Sequence, residues 1–400
     1  MSFTIYFIKL KESIMKKLVI PLTLLSLLTC SAFSCGSKNS SSSSESTSIS
    51  AETTAASIET ATEPATESTT EAPTEPAYYS ELVYPDTMTE KEKTGTAYRD
   101  FTLLSFSRAN ELGQNIFSFH ISPETIGLIN EIKANIRELI VYDEELDTNF
   151  LVHITLPPDY DESKEYPIFF LTDSTVSMNK IPYMWKATEN GEAAPVIFAA
   201  LGFDYDRDGN SDEERSRIFI VHEEQTLDFI TNDLMKLISA NYKTDASRSV
   251  FFGHSWGGLF SHYALCNSDK YEYQPFKNYI IGSAALSMMS GKEYWDVDIP
   301  WEYDDEMLAE HAACMRDFDY FDRNETMDKN VFISVGSEED WIETWMNGLT
   351  MVENAKVLYD RLTAHGVNAE LKIYEGKDHG SYVDDMLEEY LKKNFPAENR

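Results

Sequence analysis

Cysteine is scarce in this chain: four in 400 residues, with Cys30 and Cys35 inside the first 35. A disulfide-framed fold is therefore excluded, and Cys266 and Cys314 remain as a pair whose redox state stays open. Basic side chains are also few. Lys and Arg total 33 against 68 Asp and Glu, a net charge of −35. Such a charge repels phosphate backbones and argues against nucleic acid as a partner. There is no Walker loop, no dinucleotide fingerprint and no Cys/His spacing for zinc, so no cofactor is required. No apolar run reaches the length of a comfortable membrane span. What the chain does have is 42% hydrophobic and 12% aromatic residues, enough for a sizeable core.

The N-terminus reads as an address. Lys16 and Lys17 precede the apolar run Leu18 to Thr29, a positive n-region and an h-region. A signal peptide over 1–34 follows, with Met15 the cleaner start. In Ala32-Phe33-Ser34-Cys35, small residues stand three and one before Cys35. That is similar to a bacterial lipobox, which implies lipidation of Cys35, although Ala32 stands where the motif prefers Leu. Plain secretion after a nearby cut is the alternative. Ser, Thr, Glu, Ala and Pro dominate the stretch to residue 76, and 35–80 reads as a disordered linker. The expectation is a lipid-anchored protein on a bacterial cell surface, extracytoplasmic, held off the membrane by a tether.

Residues 81–136 read as an N-terminal extension and 137–400 as the main domain. Strands are predicted at 150–156, 167–172, 196–201, 249–252, 279–281, 331–335 and 371–374. Helices are predicted near 226–241, 257–266, 352–365 and 382–393, with Gly366 placed to cap the third. The alternation argues an α/β fold with a mostly parallel central sheet and helices on both faces.

Between a predicted strand and helix lies Gly253-His254-Ser255-Trp256-Gly257-Gly258. G-x-S-x-G in that context makes a sharp turn that presents the Ser255 hydroxyl at the C-terminal end of the sheet. The helix N-terminus behind it offers the Trp256 amide to an oxyanion. A base and an acid should follow along the chain. Of His262, His311, His365 and His379, only His379 lies in a loop between the last strand and last helix, where it can swing over Ser255. The acid belongs in the loop after the preceding strand, Gly336-Ser337-Glu338-Glu339-Asp340. Glu339 is favoured and Asp340 is the alternative.

At this point the chain resembles the esterase branch of the α/β hydrolases that includes enterochelin, feruloyl and S-formylglutathione esterases. The likeness rests on Leu156-Pro157-Pro158-Asp159-Tyr160, on Tyr166 to Asp173, on Tyr242 to Arg248 leading into the Gly253–Gly258 turn, on Val335 to Glu339, and on the His379 loop. It implies the α/β-hydrolase fold and serine ester hydrolysis. It also implies that the loop after Leu171 supplies a second oxyanion amide. The family shows Asp-Gly there and this chain has Asp173-Ser174, so the donor is Ser174 or Thr175.

Asp204-Tyr205-Asp206-Arg207-Asp208-Gly209-Asn210-Ser211-Asp212 places carboxylates at alternate positions around a Gly, as a calcium loop would. Arg215 occupies the twelfth position, where an EF-hand wants Glu. The candidate ligands of a structural Ca2+ are Asp204, Asp206, Asp208 and Asp212; a solvated acidic turn reads the same way. The resemblance also sets an Arg after this loop, matched by Arg215 or Arg217.

Together these readings predict a serine carboxylesterase acting on an extracellular ester, either an acylated polysaccharide fragment or a siderophore-type ester. The alternatives are a non-catalytic binding protein on a hydrolase scaffold, or a peptidase or thioesterase with the same residues.

Overall fold

The computed structural model describes residues 81–101, 122–203, 211–286, 316–341 and 349–397. The chain divides into two units, Met1–Ser80 and Glu81–Arg400, and all described residues belong to the second. The leader, Cys35 and the tether lie outside them.

Nine strands form one sheet: β1 (Ala97–Arg99), β2 (Ile136–Asp143), β3 (Thr148–Thr155), β4 (Ile168–Leu171), β5 (Ile197–Phe203), β6 (Val250–His254), β7 (Asn278–Gly282), β8 (Asn330–Gly336) and β9 (Asn368–Tyr374). Their order is β1-β2-β3-β5-β4-β6-β7-β8-β9. Pairing is antiparallel from β1 through β3 to β5 and parallel from β5 to β9. The expected mostly parallel sheet is present, with an antiparallel edge. That edge draws on the segment read as an extension, since Ala97–Arg99 pairs with β2.

Alternation along the strands splits the apolar side chains between two cores. Ile168 and Phe170 of β4 face one, with Ile197, Ala199 and Leu201 of β5 and Phe251 of β6. Phe169, Leu171, Phe198, Ala200 and Phe252 face the other. Helices α1 (Pro123–Ile132) and α2 (Ile181–Glu189) contribute Ile129, Ile132, Ile181 and Met184 to the second core. α3 (Trp256–Asn267) contributes Leu259, Phe260 and Leu265 to the first. α4 (Arg316–Arg323) lies over it through Tyr320, and α5 (Met351–Ala364) through Leu358 and Leu362. α6 (Val383–Asn394) closes the second core with Met386, Leu387 and Leu391. Burying one such Leu or Ile is worth about 1.5–3 kcal/mol.

The helix expected near 226–241 is broken into Glu223–Asp228, a π-helical stretch Phe229–Leu234, and Met235–Asn241. A second π stretch covers Arg217–Val221. Phe229, Ile230, Thr231, Asp233 and Leu234 are all buried in this stretch, so it is enclosed on more than one face. At the end of α5, Gly366 has φ +74, as a C-terminal cap requires.

Candidate active site

Parallel strands in a sheet covered on both faces carry their functional loops at their C-terminal ends. Ser255 sits at that end of β6, with φ 60 and ψ −117. This region disfavours L-residues and costs about 1–3 kcal/mol, so surrounding contacts must hold it. The Ser255 N–H donates to the Gly282 carbonyl of β7 at 2.9 Å, and its own carbonyl accepts from Leu259 N–H at 3.0 Å. The motif glycines are demanded by space. A Cβ on Gly253 would stand 1.8 Å from the Gly257 oxygen, and one on Gly257 would stand 2.3 Å from Thr172 Oγ1. Trp256 is the first residue of α3, so its amide is an unpaired helix N-terminal donor in type.

The loops after β8 and β9 bring an acid to an imidazole. His379 Nδ1 lies 2.7 Å from Glu339 Oε2. Glu339 is fully buried. Its other oxygen accepts from Gly336 N–H at 2.7 Å and from Ser283 Oγ at 2.5 Å. Because the single Ser283 proton goes to Glu339, the Tyr382 hydroxyl, 2.8 Å away, donates either to Ser283 Oγ or to the Ser334 carbonyl at 3.2 Å. All these bonds use the carboxylate as an acceptor, so it fixes the tautomer with Nδ1–H and leaves Nε2 as the basic nitrogen. The His379 ring centroid is 4.6 Å from that of His254, the residue before Ser255. Burial, and then the neighbouring His379 charge, hold the His254 pKa well below its usual range.

The competing groups are accounted for elsewhere. Asp340 accepts from Thr350 Oγ1 at 3.1 Å. Asp378 accepts from the Gly380 and Ser381 amides of its own loop. His262 is fully buried in α3, and His365 stacks on Phe321 with centroids 3.8 Å apart. His311 lies outside the described residues.

On the other side of β6, Asp173 follows β4 with φ 59, and Ser174 opens a short helical turn, Ser174–Ser177. The left-handed position thus falls on Asp173, one residue before the family's Gly. Arg215 grips it: Nε to Asp173 Oδ1 at 2.6 Å, Nη2 to Oδ2 at 3.1 Å, and Nη2 to the His254 carbonyl at 3.3 Å. The guanidinium also lies 5.2 Å from the Trp256 ring centroid. Of the two arginines suggested by the resemblance, Arg215 reaches this turn; Arg217 binds Glu214 and the Leu146 carbonyl. Ser174 is tied from behind. Its Oγ is 2.6 Å from His153 Nδ1, and His153 Nε2 is 2.8 Å from Glu138 Oε2. Arg99 pairs with Glu138 in turn. His153, Glu138 and Ser174 are all essentially inaccessible. The resemblance pointed to Arg215 or Arg217, but neither the grip on Asp173 nor this ladder was legible in the sequence.

Asp204, Asp206 and Asp208 of the acidic loop lie outside the described residues, and Asp212 falls within the short helix Ser211–Ser216. Cys266 is buried in α3, and Cys314 lies outside the described residues.

Residues 144–392, more than half of the chain, match the family described as "Putative esterase". The chain belongs to this family. With the sheet described above, that makes it an α/β hydrolase. A curated relative, the ferri-bacillibactin esterase BesA of Bacillus subtilis (strain 168), is 25% identical over 167 residues, 41% of this chain and 48% of that protein. The match thus spans about half of the relative's length. Among solved structures, the BES protein from Bacillus cereus is 20% identical, covers 66% of this chain and 95% of its own, and has a TM-score of 0.48. The siderophore hydrolase EstA from Aspergillus nidulans is 18% identical, covers 64% and 93%, and has a TM-score of 0.49.

Proposed function

We propose that this esterase-family protein is a serine carboxylesterase working through an acyl-enzyme, with Ser255 as nucleophile, His379 as general base and Glu339 as the orienting acid. The observation that carries the reading is the 2.7 Å contact between His379 Nδ1 and the fully buried Glu339, with the His379 ring 4.6 Å from that of His254, the residue before a serine held at φ 60. His379 Nε2 takes the Ser255 proton as Oγ attacks the ester carbonyl, and the carbonyl π electrons move to oxygen. The amides of Trp256 and Ser174 receive that oxyanion. His379 then returns the proton to the departing alcohol. Water repeats the sequence, releasing the acid and restoring Ser255.

The substrate class is a siderophore-type ester or an acylated polysaccharide fragment met outside the cytoplasm, with Cys35 as the lipid anchor. The partial match to a protein named a ferri-bacillibactin esterase supports the siderophore-type ester.

Fluorophosphonate labelling and a panel of acetyl, feruloyl and siderophore esters test the reading. Label on Ser255 with ester turnover is the expected result. No label would point to a non-catalytic binding protein on the same scaffold. Label with turnover only of amides or thioesters would point to a peptidase or thioesterase.

A further inference from the structure

Away from Ser255, three carboxylates meet in the interior. Glu92 comes from the short helix Glu90–Gly95, Asp143 from the end of β2, and Asp233 from the π stretch Phe229–Leu234. One oxygen from each lies within 4.8 Å of the other two. Their exposures are 6%, 5% and 9%, so none is a solvated surface acid. No Lys, Arg or His forms an ion pair with any of the three among the described residues. Lys236 lies nearby, but its ammonium bonds Asn232 Oδ1 at 3.2 Å.

Two of the acids have local duties. Glu92 closes a capping box, accepting from Thr89 N–H at 2.6 Å, and its other oxygen accepts from Glu144 N–H at 3.1 Å. Asp143 Oδ1 accepts from Leu146 N–H at 2.6 Å. Asp233 differs: the Thr87 hydroxyl lies against its carboxyl, but its Oδ1 is buried and has no hydrogen-bond partner. A buried oxygen without a donor costs about 1–3 kcal/mol, more for a charged group. Placing it beside two further carboxylates adds like-charge repulsion. Something of positive charge must satisfy this cluster.

We propose that Glu92, Asp143 and Asp233 bind one hard divalent cation, calcium by preference, which ties the N-terminal segment to the sheet and to the helices over it. All-oxygen ligation by carboxylates suits calcium, whose bonds of about 2.3–2.6 Å and irregular geometry tolerate water in the remaining positions. The three ligands come from three separate elements. Existing bonds already draw the same parts together: Thr87 Oγ1 donates to the Asn232 carbonyl at 2.7 Å, and Val83 N–H donates to Asn241 Oδ1 at 2.9 Å. The cation would lock the residues that lead into the fold from the tether. This site is separate from the acidic loop Asp204–Asp212 and does not depend on the proposed chemistry at Ser255.

The full chain, stripped with EDTA and dialysed, is titrated with CaCl2 while its melting temperature and bound calcium are measured. The expected result is a rise of about 5 °C near a hundredfold excess over Kd, with calcium bound at the cluster. Asp233→Asn should lose the rise, whereas Asp206→Asn combined with Asp208→Asn should keep it and still bind one calcium per chain in equilibrium dialysis. No rise and no bound calcium in the wild type would overturn the proposal and leave a shared proton as the cluster's counter-charge. An undiminished rise in Asp233→Asn, or loss of all calcium from the double variant, would place the ion elsewhere and overturn it equally. The dialysis of the double variant decides the matter even if Asp233→Asn fails to fold.

Discussion

On one side of β6, His379 is held by a single carboxylate, Glu339, delivered by the loop after β8. On the other, the Asp173–Ser174 turn is held by two unrelated side chains, Arg215 in front and His153 behind. The first arrangement concentrates its energy in one buried acceptor with three donors. The second spreads it over a ladder that crosses the antiparallel strands as far as Arg99. Loss of one residue should therefore cripple the first side and only loosen the second.

The largest test removes what both sides serve. Ser255→Ala should lower kcat for a p-nitrophenyl short-chain ester by about 10^4-fold or more, with folding unchanged by circular dichroism. Retained turnover would mean another nucleophile. Next, Glu339→Gln should cost about 10^3-fold or more in kcat, while Asp340→Asn stays within about twofold of the wild type. Equal losses would erase the distinction drawn between the two acids. On the proposed oxyanion side, Arg215→Ala should lower kcat about 10- to 100-fold with little change in KM, the signature of an interaction made in the transition state. A loss as deep as that of Glu339→Gln would show that the turn has no second support.

A pH titration of stability sharpens the comparison by locating an acid-sensitive group away from both sides. Burial first, then the charges of Arg316 and Arg361, hold the His262 pKa well below its usual 6.5. Below about pH 6.5 the unfolded state therefore takes up a proton that the folded state refuses. Stability is full above that pH and falls below it, by about 1.4 kcal/mol per unit from this group. His262→Leu should flatten the slope in urea unfolding; an unchanged slope would assign the proton elsewhere. The smallest expected effect is Tyr382→Phe. It deletes one hydroxyl behind Ser283 and should cost about fivefold in kcat, roughly 1 kcal/mol.

The parts that could be read from the chain are those whose geometry is local. Gly253 to Gly258 announced a turn because crowding there leaves no room for side chains. The meeting of Glu339 with His379 followed from the order of strand ends. The inner parallel strands were visible as short apolar runs, since both their faces are buried. What stayed hidden depends on partners far apart in sequence. Nothing around His153 signals that it bonds Ser174, or that Glu138 stands opposite it on β2. β1 is only three residues long, too short for a periodic signature. The π stretches shift the helical register by steps that a 3.6-residue pattern misreads. The acidic loop drew notice because its carboxylates are contiguous, whereas Glu92, Asp143 and Asp233 converge from three elements and leave no such mark.

Ser255 is aimed by main-chain atoms, its N–H on the Gly282 carbonyl and its turn wedged between Gly253 and Gly257. Neither of those two contacts uses a side chain from a neighbouring loop. Substitutions in the stretches after β7 and β8, Ser283 and Glu339 apart, therefore leave that backbone aim in place.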